Sequence, residues 1–276
     1  MAWFWADAPS NSNIDGSARS SGKLTCPVSG GSSDQSACPV MHASKGRDKL
    51  NGGSLLNPLN NMPAFISSKK QPGQKLDLPE DRSLSSIPRG SDGVTNWEYP
   101  SPQQMYNAMV RKGKIDPNTG EEIPEDAVES MVFVHNFLNE GCWQEVLEWE
   151  KPYTDKTHVA PRLLKFTGRP DQLSPRARWY ALLGKLFPSY YSGEHPFDRH
   201  DWVVLRADPM SADPENPGFK KIRYVIDFYG GPDDEEGFPS FNLDVRPALD
   251  NSSNAKDRFI RYTKPIIDEY FGGANK

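Results

Sequence analysis

The chain of 276 residues is 36% hydrophobic and 25% charged, which is a lean balance for a protein that folds along its whole length. Its 25 prolines and 22 glycines, with a mean hydropathy of −0.70, therefore predict an ordered core and a substantial disordered portion. The formal net charge of −5 argues against nucleic acid as a partner, because a phosphate backbone needs a broad basic surface. No apolar stretch is long enough to span a membrane.

Residues 1–60 are predicted to form a disordered arm, because polar residues dominate and the apolar ones follow neither a helical nor a strand period. An aromatic triplet at residues 3–5 is of the kind that can lie at a lipid interface, but a triplet near a chain terminus is more often only part of a tail. Cys26 and Cys38 each begin a Cys-Pro-Val tripeptide, without the paired spacing of a zinc or redox site. One thiolate beside a rigid proline suits one face of a haem iron, but incidental thiols explain the pattern equally well.

Residues 61–93 contain four prolines and are predicted to be an extended linker. We expect order to begin near Trp97, in a domain that spans residues 94–270. A helix is expected to follow Ser101, because a serine side chain can cap a helix whose first position is Pro102.

A second helix is predicted to start near Pro124 and to bend or break at Gly141, with a continuation that ends at Pro152. One of its faces is an apolar stripe that contains a histidine, formed by Val128, Met131, His135 and Leu138.

Two further helices are predicted at residues 174–187 and 254–271, the second kinked or interrupted at Pro265. Between and before them, period-2 patterns predict strands at residues 162–166, 202–207, 222–230 and 241–249. The loops between the last three runs are short enough for antiparallel neighbours. The sequence therefore predicts an α+β fold, with helices packed on one face of a small, mostly antiparallel sheet.

His135 is the sharpest candidate for chemistry, because it lies within an apolar helical stripe. A histidine in that setting is most often a core residue, bonded to a backbone or side-chain acceptor. The alternative is an axial ligand to a large, flat, apolar cofactor, which needs one neutral nitrogen in an apolar wall. The pattern alone leaves both interpretations open.

A second group of candidates is His195, Asp198 and His200, since imidazole and carboxylate ligands suit iron or zinc. Their spacing matches no common ligand set. The favoured interpretation is that Asp198, Arg199 and Asp201 fix the loop that enters the next strand through ionic hydrogen bonds. A non-haem metal enzyme is the alternative.

Six strings carry more information than any single residue. They are NWEYPSPQQMYNAMVRKGK, VHNFLNEGCWQEVLEWE, LSPRARWYALLG, PFDRHDWVVLR, RYVIDFYGGPDD and LDVRPALD. Together they resemble the mitochondrial cytochrome c haem lyases, or holocytochrome c synthases, and the fungal cytochrome c type most closely. The resemblance starts with WFWAD at the amino terminus, includes both Cys-Pro-Val tripeptides, and runs almost without a break over residues 57–265.

The resemblance implies an enzyme that attaches haem b, with reduced iron, to the CxxCH cysteines of apocytochrome c through two thioether bonds. The family's axial ligand to the haem iron falls on His135, and its nearby acid falls on Glu140. The haem-pocket residues of the family fall on Trp97, Tyr99, Pro100, Asn107 and Met109. His200 is implied to shape the pocket, and Arg206 to contact a haem propionate.

The resemblance also implies a mitochondrial intermembrane-space protein that is peripherally bound to the inner membrane. It favours transient haem capture by Cys26 and Cys38. An acidic chain suits a lysine-rich cytochrome through complementary charge. A haem-binding sensor or carrier that makes no covalent bond, and the non-haem metal enzyme, are the remaining alternatives.

Overall fold

A computed structural model of the chain describes residues 66–111, 124–169, 172–233 and 239–271, with residue 271 described by its backbone alone. The predicted arm, with Cys26 and Cys38, lies outside the described residues.

The chain contains both helices and strands, and the antiparallel pairing of the strands makes the fold α+β. The strands are β1 (Leu84–Pro88), β2 (Asn96–Glu98), β3 (Arg162–Gly168), β4 (Asp198–Ala207), β5 (Phe219–Gly230) and β6 (Phe241–Pro247). The helices are α1 (Pro102–Arg111), α2 (Val128–Thr157), α3 (Pro175–Leu186) and α4 (Ser252–Phe271), and a turn of 3-10 helix at Glu125–Ala127 leads into α2.

The main sheet is antiparallel with the order β3-β4-β5-β6, while β1 pairs with β2 in a separate small sheet. Its register places His200 opposite Ile226 and Trp202 opposite Tyr224, so these four side chains share one face. The predicted α+β class is confirmed, and each predicted strand occurs. The prediction that Asp198 lies in a loop is wrong, because β4 already begins at that residue.

The main hydrophobic core lies between α2 and the sheet. Trp143, Val146 and Trp149 of α2 are buried in the same cluster as Trp202 and Tyr224 of the sheet. The buried positions of α2 follow the helical period. They are residues 128, 132, 139, 142, 143, 146, 149 and 150. His135 occupies the step between the second and third of them, so the helix turns it towards the sheet.

The amino end of α3 lies on the other face of the sheet, so the helices do not all pack on one face as predicted. Ser174 caps α3 by accepting a hydrogen bond from the Ala177 backbone at 3.1 Å. Its hydroxyl also donates to Asp227 of β5 at 2.5 Å, where Arg246 completes a buried ion pair. The predicted position of this helix is confirmed.

Helix α2 runs without interruption through both residues that were expected to break it. An added Cβ at Gly141 would lie 3.2 Å from Leu243 Cδ1, so glycine permits close packing of α2 on β6. Pro152 lies near the end of the helix, which stops at His158 in the left-handed conformation with φ of 56°. α4 likewise continues through Pro265. In α2, burial of one face against the rest of the domain stabilises the helix more than Gly141 or Pro152 disturbs it.

The predicted linker is partly folded, and order begins well before Trp97. Ile87 of β1 is 2% exposed and belongs to the main core. Leu78 packs with Met105, Tyr106, Met109, Val128 and Val132 in a second, smaller core between α1 and α2. Residues 66–93 therefore contribute a strand and buried side chains to the domain.

Candidate functional site

The candidate site lies where the first half of α2 crosses the start of β4. Asp198 and His200 share the face of β4 that α2 covers, since strand residues two apart point the same way. Asp198 Oδ2 is 2.9 Å from His200 Nε2, and both side chains are buried. Both groups interact electrostatically with His135 of α2, so the three side chains lie close together.

His135 holds a neutral imidazole at this place. Burial, helped by the charge of His200, lowers the pKa of His135 from 6.5 to about 4, while Asp198 acts in the opposite direction. At pH 7 the ring therefore keeps a nitrogen lone pair that a metal can use. As a whole residue, His135 is half-buried, as are Met131 one turn before it and Leu138 one turn after it. This part of the predicted apolar stripe thus borders the surface.

His200 is the more deeply buried of the two histidines, at 2% exposure. Its ring packs edge-on against Phe228, with 4.9 Å between the ring centres. Apart from the close approach of Asp198, neither ring nitrogen makes a well-formed hydrogen bond within the described part of the chain. A buried donor left in that state is a site where a substrate or water can be bound.

Glu140, five residues after His135, fastens the β1–β2 hairpin to α2. Its carboxylate accepts hydrogen bonds from Ser85 Oγ at 2.6 Å, from Ser86 N at 3.2 Å and from Tyr99 Oη at 2.8 Å. The Ser86 hydroxyl donates to its second oxygen. Burial raises the pKa of Glu140, but these hydrogen bonds outweigh it and hold the pKa below its usual value. The group is therefore a charged acceptor that positions its neighbours.

Of two further predicted pocket residues, Trp97 belongs to this hairpin and Pro100 follows it. Trp97 is buried in the main core, and its indole Nε1 donates to the Leu163 carbonyl at 3.0 Å. Its ring packs edge-on against Phe166. Pro100 is partly buried and joins the hairpin to α1. The structure therefore gives Trp97 a role in anchoring β2 to β3.

The last two predicted pocket residues, Asn107 and Met109, lie on α1 within or next to the smaller core. Met109 is 2% exposed and packs in that core. The Asn107 amide donates to the carbonyls of Ser67 and Lys69 at 2.6 and 2.9 Å. Both residues thus hold the segment before β1 against α1.

Arg206 lies at the opposite end of β4 from His200, inside a buried ionic cluster. Its Nε and Nη2 donate to the Glu150 carboxylate at 2.7 and 2.8 Å, and its Nη1 is 3.3 Å from Asp257. The guanidinium carbon lies 3.6 Å from the centre of the Tyr153 ring. Every guanidinium nitrogen has a protein partner, so this geometry does not support the predicted contact with a haem propionate. Arg206 joins α2, β4 and α4.

The alternative metal triad is not formed. His195 is exposed, whereas Asp198 and His200 are buried. Across the described ranges, no three His, Cys, Asp or Glu side chains are grouped closely enough to hold a metal ion. The expected ionic role of Arg199 and Asp201 is observed, with 2.9 Å between their side chains, although both lie within β4.

Sequence reasoning missed Ser85, Ser86 and Glu150. Burial alternates along LSSIP, with Ser85 and Ile87 inside, but the sequence does not reveal this strand, because a serine is buried while Leu84 is exposed. For Glu150 no local signal exists, because its partner Arg206 is 56 residues away in the chain.

The chain is 59% identical to holocytochrome-c synthase of Saccharomyces cerevisiae over 271 residues, which cover 97% of this chain and 96% of that protein. It is 35% identical to human holocytochrome c-type synthase, over 80% of this chain and 72% of the relative. A putative holocytochrome-c1 synthase of Chaetomium thermophilum is 36% identical, over 71% of this chain and 68% of the relative.

No solved structure matches the chain. The family model described as "Cytochrome c/c1 heme lyase" matches residues 1–262. Since that match covers nearly all of the chain, the protein belongs to the cytochrome c/c1 haem lyase family.

Proposed function

We propose that this protein is a holocytochrome-c synthase, an enzyme that joins haem covalently to apocytochrome c. The identity of 59% to the yeast synthase, over nearly the full length of both chains, is the observation that carries the proposal. Haem b with reduced iron is the proposed second substrate.

His135 is the proposed ligand to the haem iron, because it offers a neutral nitrogen at a seam between two apolar clusters. Met131 packs against the smaller core, and Leu138 packs against the main core. A flat apolar ring seated along this seam gains apolar contacts on both sides of the imidazole. The lowered pKa of His135 keeps the nitrogen free of a competing proton at neutral pH.

The proposed reaction is the addition of a thiol to a vinyl group. Each cysteine of the CxxCH segment adds across one vinyl group, so that sulfur bonds to one vinyl carbon and a proton is added to the other. The addition is balanced without an oxidant or a reductant. With His135 on one face of the haem, the other face is left to the substrate's CxxCH histidine. The rate gain is then mostly proximity and orientation of thiol and vinyl.

Glu140 and His200 are proposed to position this arrangement. Glu140 holds Tyr99 and the β1–β2 hairpin against α2 close to His135. His200 lines the sheet side of the site, beside Asp198. A shift of either element changes the direction in which the iron ligand points, so both residues are required for orientation.

The proposed location is the mitochondrial intermembrane space, with peripheral attachment to the inner membrane. Across the residues that the structure describes, no helix combines the length and apolar character needed to cross a bilayer. The net charge of −5 suits a lysine-rich partner such as a cytochrome.

Cys26 and Cys38 are proposed to capture haem transiently, with the lasting ligand in the folded domain. A Cys26→Ser, Cys38→Ser double variant should therefore still attach haem, with a loss only when haem is scarce. Complete loss of attachment at ample haem supply would place the chemistry in the arm.

Co-expression with apocytochrome c tests the proposed function. Haem that stays on cytochrome c after acid-acetone extraction is covalently bound, whereas a carrier leaves none. We expect His135→Ala to abolish covalent attachment and His195→Ala, an exposed histidine of the neighbouring loop, to retain it. Normal maturation with His135→Ala would remove His135 from the mechanism. Absence of covalent haem with the unaltered protein would refute the enzyme class.

A further inference from the structure

Helix α4 is amphipathic in the reverse of the usual sense, because its apolar side faces solvent. At 3.6 residues per turn, Phe259, Ile266 and Tyr270 form one stripe along the helix. They are 68%, 56% and 74% exposed, and Ile260 and Ile267 beside the stripe are 45% and 51% exposed. A face of this kind needs an apolar or interfacial partner.

In the first half of α4 the charged side is turned towards the protein instead. Asp257 accepts a hydrogen bond from Tyr153 Oη at 2.6 Å. Arg261 donates to Glu145 at 3.1 Å and lies 4.4 Å from the centre of the Trp149 ring. These contacts fix the rotation of the helix about its axis, so the apolar stripe is held outward by the fold.

Helix α3 extends the same kind of surface. Trp179, Leu182 and Leu186 recur at helical spacing and are 58%, 46% and 60% exposed. The two helices are connected through Arg176, whose guanidinium lies 5.4 Å from the Tyr180 ring of α3 and 5.9 Å from a ring of α4. Tryptophan and tyrosine are the residues that proteins place at the boundary between lipid and water.

The charges around these apolar residues are mainly positive, although the whole chain is acidic. Lys256 lies on the outward side of α4, next to the apolar stripe. Arg178 and Lys185 of α3 are exposed, and α3 contains no acidic residue. Of the acidic residues near the end of α4, Asp268 lies opposite the stripe and Glu269 to one side of it.

We propose that the outward faces of α3 and α4 form a docking surface for an anionic lipid bilayer. Aromatic and aliphatic side chains enter the interface while the neighbouring cations contact the lipid phosphates. Charge argues for this partner over the alternatives, because a second copy of the same basic face, or a lysine-rich cytochrome, would be repelled. This inference rests on the proposed membrane attachment, and it is independent of the haem chemistry.

Flotation of the full-length protein with vesicles tests the surface. We expect binding to vesicles of equal parts phosphatidylcholine and phosphatidylglycerol, and weaker binding to pure phosphatidylcholine. Phe259→Ser with Ile266→Ser should lower the partition coefficient at least about tenfold. Lys256→Glu should weaken binding to the anionic vesicles alone. Val94→Ser with Met210→Ser, which alters residues that are 88% and 90% exposed elsewhere, should change nothing.

Each remaining outcome decides against the surface. Unchanged flotation of the α4 variant, with loss confined to serine substitutions of Trp3, Phe4 and Trp5, would leave membrane attachment in place but assign it to the arm. A fall in mass from dimer to monomer in the α4 variant would make the face a self-association interface. Covalent haem attachment measured in solution should be unaffected by the α4 substitutions, so a failure of the docking surface is separable from a failure of the enzyme assignment.

Discussion

Replacing Arg206 by methionine is expected to destabilise the protein by about 3–5 kcal/mol, because a buried carboxylate is left without its counter-ion. Glu150 is 1% exposed and receives two hydrogen bonds from Arg206, at 2.7 and 2.8 Å. The hydroxyl of Tyr224 also donates to Glu150, but a neutral donor does not balance the charge. Combining Arg206→Met with Glu150→Gln should restore most of the stability, since the amide oxygen still accepts from Tyr224.

Urea unfolding followed by tryptophan fluorescence measures these free energies, and co-expression with apocytochrome c measures haem attachment in the same variants. We expect attachment to fall with Arg206→Met and to recover in the double variant, in step with stability. Lys264→Met is the matched control, because its ion pair with Asp268 is exposed and is worth less than about 1 kcal/mol.

Two results would refute this reasoning. A double variant that is stable but still fails to attach haem would show that Arg206 contacts a substrate, as the family resemblance implied. A double variant no more stable than Arg206→Met would show that the unpaired charge of Glu150 is not the source of the loss.

Three further predictions concern the hairpin, the pH dependence and two glycines. Glu140→Gln should cost about 1–3 kcal/mol in urea unfolding and lower haem attachment, because an amide replaces a carboxylate that accepts four hydrogen bonds. The pKa of His135 falls from 6.5 unfolded to about 4 folded, so the unfolded state binds more protons between these values. The free energy of unfolding should therefore reach its full value above pH 6.5 and fall by up to about 3 kcal/mol towards pH 4. The fall over this range should be smaller in His135→Gln. Gly184→Ala should destabilise by about 1–3 kcal/mol, because its Cβ would lie 2.4 Å from a backbone atom of Gly193. Gly141→Ala should be nearly neutral, because its Cβ meets only the end of a leucine side chain and alanine favours the helix.

Local signals in the sequence were sufficient to predict most helices and strands. Ser101 and Ser174 mark the starts of α1 and α3, since both hydroxyls accept hydrogen bonds from the first turn. The period-2 runs became the four strands of the main sheet. Local signals failed where long-range packing decided the outcome. Gly141 and Pro152 lie inside one continuous helix because the sheet and α4 support its buried face.

The site was predictable in part. The apolar stripe around His135 is a local pattern, and the family resemblance supplied its proposed role. The contacts of Glu140 with Ser85 and of Arg206 with Glu150 link residues 55 and 56 positions apart, and no sequence period reports such pairs. The burial of Arg206 was therefore visible only once the sheet and α2 were placed together.

The continuity of α2 fixes the separation between His135 and the partner of Arg206. His135 and Glu150 lie on one uninterrupted helix, fifteen residues apart, which corresponds to about 22 Å along its axis. Along β4, the six residues from His200 to Arg206 span about 20 Å in the same direction as α2. Both lengths separate Arg206 from the proposed iron ligand, and Glu150 and Asp257 already pair its guanidinium. We therefore expect an effect of Arg206 on haem attachment to pass through the stability of α2, and the double variant that removes both charges tests this expectation against a contact with a haem propionate.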